Sequence, residues 1–293
     1  MDSPVDVFQI AGGSIQGRNH RLLGRNNQDA YYHLNTSEGF IALVCDGCGD
    51  EQCLNSEVGA KVGIQLLAEH FRCYQVIQKW FPPEYSPDTA KAIVEFDLEL
   101  MRLSTLQQLS KLSWLLHQDF RKAVLHNFLF TIVGICATKT LTFAFSLGDG
   151  IAIINNEKFI EGPFPGNMPP YLSYSLLQKD SLEDVPAELK FKLLTVLPTS
   201  DLQSFLIGTD GAKDLLHLED HRLPGKDTLV GKIEHFYNEE RYFQNPFAIT
   251  RKLNLINRDH HSINWEQKSS HKENGLLGDD TTLVVGRRVF TNE

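Results

Sequence analysis

The feature that most constrains this chain is an apolar run, residues 40–44, that ends in an aspartate among closely spaced glycines: LVCDGCG at residues 43–49. An apolar run that stops at such turn residues predicts a buried strand that opens into a tight loop. A carboxylate packs poorly at this position, and the glycine beside it lets the backbone approach a ligand closely. The stretch therefore predicts a strand end that binds a hard cation.

The same pattern recurs along the chain, where aspartate and glycine adjoin apolar runs at Asp149-Gly150, Asp210-Gly211 and Gly278-Asp279. A single aspartate at a turn is usually only a turn former. If the strands are neighbours in layered sheets, however, the carboxylates meet at one edge, and two of them about 4 Å apart repel by about 4 kcal/mol at an effective dielectric constant near 20. Raised pKa values or bound cations must relieve this repulsion. Oxygen ligands without nearby histidine favour magnesium or manganese over zinc.

Periodicity divides the chain into strands and amphipathic helices. Strands are predicted at residues 7–16, 31–34, 39–45, 128–138, 141–147, 151–154, 158–160, 189–197, 202–207 and 283–285, the two from 189 to 207 forming a pair. Helices are predicted at residues 56–71, 88–125 (one long helix or two in tandem), 212–216, 226–237 and 246–255. Residues 17–30 and 162–175 are predicted loops, and 258–274 is polar. The pattern indicates an α+β layered architecture.

Composition and charge exclude several classes. Apolar residues make up 42% and charged residues 22%, which is typical of a globular protein with an ample core. A net charge of -9 without a Lys/Arg cluster argues against a nucleic-acid partner. No basic segment precedes an apolar stretch at the start, and no run reaches about 18 apolar residues, so we expect a cytoplasmic protein without a membrane partner. We also expect a monomer.

The cysteines allow a second metal hypothesis. Cys45, Cys48 and Cys53 form a C-x2-C-x4-C pattern that could supply most of a zinc or iron–sulfur site. No further Cys or His lies at ligand spacing, however. The odd total of five cysteines and the apolar surroundings of Cys45 and Cys136 favour free thiols in a reducing compartment.

The order of these motifs resembles that of the metal-dependent type 2C serine/threonine protein phosphatases (the PPM family), above all its bacterial branch. The matching stretches are Asn27-Gln28-Asp29-Ala30, Asp46-Gly47-Cys48-Gly49, Thr131, Gly148-Asp149-Gly150, Thr209-Asp210-Gly211 with Asp214, and Asp279-Asp280-Thr281-Thr282. Each motif is weak alone, but several in the family order make chance unlikely. The resemblance spans roughly residues 7–286 and implies one domain over residues 1–293. It also implies a four-layer α-β-β-α sandwich, with two packed, mostly antiparallel sheets flanked by helices.

The resemblance implies a catalytic centre of two Mg²⁺ or Mn²⁺ ions. Asp46 would bridge both ions, the Gly47 carbonyl would bind one of them, and Asp210 with Asp279 would complete the first site. The implied reaction is hydrolysis of phosphoserine or phosphothreonine in a phosphorylated protein, the product of a serine/threonine kinase. A metal-bridging water would attack phosphorus in line, without a phosphoenzyme.

The resemblance also implies a third, weaker metal site at Asp149 with Asp214. Gln28 replaces the glutamate of many members, which removes a negative charge near the second ion and predicts weaker binding unless Asp29 or water compensates.

Two further positions depart from the family pattern. Cys48 stands where some members have a histidine proposed as general acid, and a thiol with a pKa of about 8.5 could donate a proton there. Arg25 is the expected phosphate-binding residue because an arginine fork suits phosphate, with Arg21 and Arg18 as rivals and a solvated loop arginine as the alternative. His20 is expected to be structural and hydrogen-bonded to backbone.

Three functional hypotheses follow. The first is an active metal-dependent protein phosphatase. The second is a catalytically weakened member that binds phosphorylated partners or regulates a kinase pathway, because Gln28, Cys48 and the arginine depart from the pattern. The third, a metal-dependent nuclease, shares the two-metal logic but conflicts with the acidic charge.

Overall fold

The computed structural model describes residues 6–50, 53–77, 86–178, 182 and 184–290. Its strands, in chain order, are β1 (Asp6–Ile15), β2 (Asp29–Thr36), β3 (Gly39–Gly47), β4 (Phe130–Thr138), β5 (Leu141–Leu147), β6 (Gly150–Ile154), β7 (Glu157–Glu161), β8 (Lys192–Pro198), β9 (Ser204–Gly208), β10 (His260–Asn264), β11 (Ser269–Glu273) and β12 (Thr281–Phe290). The helices are α1 (Arg18–Leu23), α2 (Ser56–Ile77), α3 (Pro87–Leu116), α4 (Phe120–Asn127), α5 (His235–Asn238) and α6 (Ala248–Ile256).

Two five-stranded sheets form the centre of the fold. The first has the order β1-β12-β9-β6-β7, the second has the order β2-β3-β4-β5-β8, and β10 pairs with β11 in a separate hairpin. Every pairing described within these sheets is antiparallel. This architecture confirms the predicted α+β fold with two packed antiparallel sheets.

Strand β3 shows why its apolar run is continuous. Phe40, Ala42 and Val44 belong to the core that packs between the two sheets, together with residues of β9 and β12. Ile41, Leu43 and Cys45 point to the other face, into a core shared with α2 and α3. A third core packs α6 and nearby turns against the first sheet. Because strand side chains alternate between faces, a strand covered on both sides must be apolar throughout, and the four layers follow.

The pairing of residues 189–197 with 202–207 was predicted wrongly. β8 pairs with β5 in the second sheet, whereas β9 pairs with β12 and β6 in the first. A short 3₁₀ turn at Thr199–Asp201 carries the chain from one sheet to the other. The alternation of apolar residues gives a strand its faces but not its partner, so a short connection looked like a hairpin.

Several other boundaries also differ. The predicted loop 17–30 contains α1, and the polar segment 258–274 contains the β10–β11 hairpin. Of the predicted helix 226–237, only its end is helical, as part of α5. The 88–125 pattern forms two tandem helices, and the second starts at the N-cap Asp119, whose side chain accepts a hydrogen bond from Lys122 N at 3.1 Å.

Residues 162–175, predicted as a surface loop, are partly buried against the second sheet's helices. Tyr171, Leu172, Ser173 and Ser175 are buried, and Ser173 donates a hydrogen bond to the Phe128 carbonyl. This packing gives the segment a fixed place beside the ends of the strands.

A fully buried arginine fastens the same segment to α3. The Arg102 guanidinium donates to both Glu99 carboxylate oxygens at 2.7 and 2.8 Å, to Ser175 Oγ at 3.4 Å and to the Leu182 carbonyl. A buried guanidinium is stable only with such partners. Within the described helices, none is long and apolar enough to cross a membrane.

Candidate metal centre

Strand pairing brings the aspartates of the two sheets to one edge. Asp29 of β2 lies opposite Asp46 of β3, and Asp46 also lies opposite Thr131 of β4. From the first sheet, Asp210 lies two residues after the end of β9, and Asp279 lies two residues before the start of β12. Asp149 occupies the turn between β5 and β6, where the chain passes from the second sheet to the first.

These strand ends surround a cavity of about 630 Å³. Its acidic lining consists of Asp46, Asp50, Asp149, Asp210 and Asp279. His20, Gln28, Gly47, Cys48 and Tyr171 also line it, whereas no described lining residue is a lysine or arginine. The structure therefore gathers four predicted ligands, Asp46, Asp149, Asp210 and Asp279, around one space, with Gly47 beside them.

Burial and mutual repulsion perturb the carboxylates. Burial raises the pKa of Asp46 well above its usual value, and the charges of Asp29, Asp210, Asp279 and Asp149 raise it further. Burial, then the charge of Asp149, raises the pKa of Asp210 to about 6. Full ionisation of the cluster is thus costly unless bound cations offset its negative charge.

Asp29 is the most confined of these carboxylates. Burial, reinforced by the charge of Asp280, raises its pKa to about 8, although Thr209 Oγ1 donates a hydrogen bond to Asp29 Oδ2 at 2.9 Å. The other oxygen, Oδ1, is buried and has no hydrogen-bond partner among the described residues.

Gln28 also presents an unpaired acceptor. Its Nε2 donates to Ser56 Oγ at 2.7 Å, which leaves the buried Oε1 without a partner in the described structure. Gln28 itself lines the cavity. The unpaired oxygen of Gln28 and the carboxylates that line the same cavity are oxygen donors of the kind that suits hydrated Mg²⁺ or Mn²⁺.

Asp280 organises the polypeptide behind the cavity. Its carboxylate is 2% exposed and accepts hydrogen bonds from Gly17 N at 2.7 Å and Gln28 N at 2.6 Å. His20 Nδ1 lies 2.9 Å from Asp280 Oδ2. Asp280 therefore joins the start of β12 to the segments before α1 and β2, a role that its place in the sequence motif did not reveal.

His20 differs from expectation. Within the part of the chain that the structure describes, its ring makes no hydrogen bond to backbone and lies between two carboxylates, with Nε2 at 3.9 Å from Asp279 Oδ1 and Nδ1 at 2.9 Å from Asp280 Oδ2. Its side chain lines the cavity, and interaction with Asp280 raises its pKa. The ligand atoms of His20, Asp279 and Asp280 all lie within 4.8 Å of one another, but Asp280 already accepts two backbone hydrogen bonds. No sequence signal marked α1, because its apolar residues Leu22 and Leu23 are exposed.

Two predicted residues lie outside the cavity lining. Asp214 is exposed and is absent from the described walls. The Arg25 guanidinium donates to the carbonyl of Gly49, which does line the cavity, so Arg25 lies at its rim. The rival Arg21 turns away, with its guanidinium 3.6 Å from Asp259 Oδ1 and 3.4 Å from the Asn257 carbonyl.

The cysteine pattern does not converge on a metal site. Cys45 packs in the core beneath α2, whereas Cys48 and Cys53 pack with Leu129 and Tyr171 beside the cavity. Hydrogen bonds with Cys53 and then Tyr171 lower the pKa of the Cys48 thiol to about 6. A lowered pKa reduces the fraction of Cys48 that carries a proton, which makes it a poorer proton donor than a thiol with an ordinary pKa.

Comparisons with known proteins give a family, from a family model, and a fold, from solved structures. A family model described as Protein phosphatase 2C matches residues 16–244, more than half of the chain. No curated protein matches the chain in sequence. The last aspartate motif, at residues 279–282, lies beyond the segment that the family model matches.

Three solved structures illustrate the shared fold. A bacterial serine phosphatase gives a TM-score of 0.51 at 12% identity, covering 98% of this chain and 100% of its own. The serine/threonine phosphatase PstP/Ppp of Mycobacterium tuberculosis gives 0.52 at 15% identity, covering 96% of this chain and 98% of its own. A sex determining protein of C. elegans gives 0.50 at 14% identity, covering 96% of this chain and 65% of its own. At these identities the likeness shows the fold.

The perturbed carboxylates predict a pH-dependent stability in the presence of chelator. Because the pKa of folded Asp29, about 8, exceeds the usual 3.8, its contribution to stability is full at low pH and is lost as the pH rises towards 8. Urea titrations should show the free energy of unfolding falling between about pH 5 and pH 8, and Asp29→Asn should reduce this fall by at least about 1 kcal/mol. The exposed Asp220→Asn variant should keep the full fall, and an equal fall in both variants would contradict the assignment.

Proposed function

Because the chain belongs to the protein phosphatase 2C family, we propose that it hydrolyses phosphoserine and phosphothreonine in proteins with the help of Mg²⁺ or Mn²⁺. The observation that carries this proposal is the cavity at the meeting edge of the two sheets, where Asp46, Asp149, Asp210 and Asp279 lie together. Neutral side chains at these four positions would avoid the mutual repulsion of the carboxylates. The presence of carboxylates there supports the proposal that a bound cation offsets their charge.

The proposed ligands of two ions are Asp46, the Gly47 carbonyl, Asp210 and Asp279. When bound, such ions activate water for attack on phosphorus and neutralise charge on the phosphoryl oxygens. The chain positions its own groups for this chemistry. The pairing of β2 with β3 holds Asp29 against Asp46, and Thr209 Oγ1 fixes the Asp29 carboxylate.

Gly47 lies where the surrounding backbone leaves no room for a side chain. A Cβ atom there would lie 2.8 Å from the Ser56 carbonyl oxygen and 2.9 Å from the Gln28 carbonyl oxygen. The absence of a side chain thus lets β2, β3 and the start of α2 converge at the proposed centre.

Arg25 is the proposed phosphate-binding residue. Its guanidinium lies at the cavity rim, where it donates to the Gly49 carbonyl. An arginine at this position can present a second pair of N–H groups to a phosphate oxygen. The net charge of the lining is negative, so a rim cation also favours the approach of a phosphorylated side chain.

A second candidate is a phosphoprotein-binding member with little turnover. It is favoured by the lack of lysine and arginine among the described cavity-lining residues, which leaves phosphate contacts to the rim. The two candidates differ in a simple way, because binding without hydrolysis needs no divalent ion to activate water.

Hydrolysis by the purified protein tests the first candidate. With Mn²⁺, the wild type should release phosphate from p-nitrophenyl phosphate and from a phosphothreonine peptide, and chelator should abolish the release. Asp46→Asn should lower the rate at least about 100-fold, because a proposed metal ligand is lost. Asp220→Asn, an exposed carboxylate change, should retain the rate. Wild-type release no greater than that of Asp46→Asn would favour the second candidate.

Substitution of Gln28 tests whether negative charge near the proposed second ion strengthens the binding of that ion. Gln28 lines the cavity, so Gln28→Glu adds a negative charge there. The hydrogen bond with Ser56 reverses direction, because Gln28 Nε2 donates to Ser56 Oγ whereas a carboxylate oxygen accepts from the Ser56 hydroxyl. We expect Gln28→Glu to lower the Mn²⁺ concentration for half-maximal activity roughly threefold to tenfold. Asn26→Asp adds the same charge at an exposed position and should change this Mn²⁺ concentration less. An unchanged or higher requirement in Gln28→Glu would refute this account of the position.

A further inference from the structure

A lysine lies near the carboxylate cluster, on the 3₁₀ helix that begins at Asp210. Lys213 lies on the 3₁₀ helix Asp210–Leu216, three residues after Asp210. Its side chain turns back towards the first sheet, where Nζ donates a hydrogen bond to the Glu161 carbonyl oxygen at 2.7 Å. This contact is partly buried, so the ammonium is held in one place.

Strand register puts this contact next to Asp149. Glu161 of β7 pairs with Gly150 of β6, the residue that follows Asp149. On the other side of Glu161, a Cβ atom placed on Gly162 would lie 3.6 Å from Asp149 Cβ. The Glu161 carbonyl that holds the Lys213 ammonium is therefore a neighbour of the Asp149 side chain.

The charge of Lys213 acts on two proposed metal-centre carboxylates. It opposes the effect of burial and lowers the pKa of both Asp149 and Asp210. A second lysine at the same residue behaves differently, since Lys192 Nζ pairs with the Glu161 carboxylate at 2.6 Å and is exposed. Two lysines thus contact Glu161. Lys213 binds its carbonyl beside the carboxylate cluster, and Lys192 binds its side chain.

The other proposed ligand of a third metal is poorly placed. Asp214 is exposed and does not line the described cavity, although Asp149 does. A third divalent ion at Asp149 would also lie close to the Lys213 ammonium, and like charges at short range repel strongly.

We propose that Lys213 is a built-in cation that supplies, at Asp149, the positive charge a third divalent ion would otherwise supply, so that the centre binds two divalent ions. This inference rests on the proposed metal-dependent function and adds a limit on the number of ions. Lys213 acts as a positioning and charge-compensating residue that need not touch the substrate.

Manganese stoichiometry tests this inference without measuring activity. Free Mn²⁺ is followed by electron paramagnetic resonance as it is titrated into the full-length protein. The wild type should bind two equivalents of Mn²⁺. Lys213→Gln keeps a hydrogen-bond donor for the Glu161 carbonyl but loses the charge, so it should bind a third equivalent. Its affinity for this third ion should exceed any residual affinity of the wild type at least about tenfold. Lys213→Arg keeps the charge and should bind two, as should Lys192→Met.

The outcomes separate this inference from the function on which it rests. Three equivalents in the wild type, or two in both the wild type and Lys213→Gln, would overturn the inference and leave the metal centre intact. No bound Mn²⁺ in the wild type would overturn the metal centre and the inference together. If Lys213→Gln does not fold, Lys213→Met serves as the charge-free variant, and its failure to gain a third ion counts equally against the inference.

Discussion

Repulsion among carboxylates at the meeting edge of two sheets is the constraint on which this structure depends. Asp46 carries the effect most clearly, because burial and four neighbouring aspartates raise its pKa together. Such a cluster lowers the stability of the fold unless its charge is offset. The described structure offers several partial compensations, namely Thr209 at Asp29, Lys213 at Asp149 and Asp210, and His20 at Asp280. Of these three groups, only His20 is among the described residues that line the cavity, so the cavity keeps an excess of negative charge that suits divalent ions.

The layered fold makes this concentration of charge possible. Strands β3 and β4 are apolar on both faces, which anchors Asp46 at the end of a rigid, fully packed element. The first sheet contributes Asp210 and Asp279 from strands that pair with each other, β9 and β12. Asp280 then connects β12 to the chain that leads into α1 and β2. Close backbone approach is essential at this junction, since a Cβ atom on Gly211 would lie 2.0 Å from the Asp280 carbonyl oxygen.

The sequence predicted much of the fold and the proximity of the aspartates, because both depend on patterns that are local. An apolar run ending at Asp46-Gly47 reports burial and a turn, and the same signal marks Asp149, Asp210 and Asp279. Features that depend on contacts between distant segments were not predictable in this way. Three examples are the placement of β8 and β9 in different sheets, the salt bridge of His20 to Asp280 and the contact of Lys213 with Glu161. In each case the local sequence pattern does not identify the partner. The roles of Asp46, Asp210, Asp279 and Arg25 in metal and phosphate binding remain predictions.

Anomalous diffraction at the manganese absorption edge, from crystals grown with Mn²⁺, would test the central claim most directly. The carboxylates of both sheets are proposed to form one centre, so two peaks should lie about 3.5 to 4 Å apart. Both should be within ligand distance of the Asp46 carboxylate, with Asp210 and Asp279 beside one of them. Peaks remote from Asp46, or no peak in the cavity at millimolar Mn²⁺, would contradict the account.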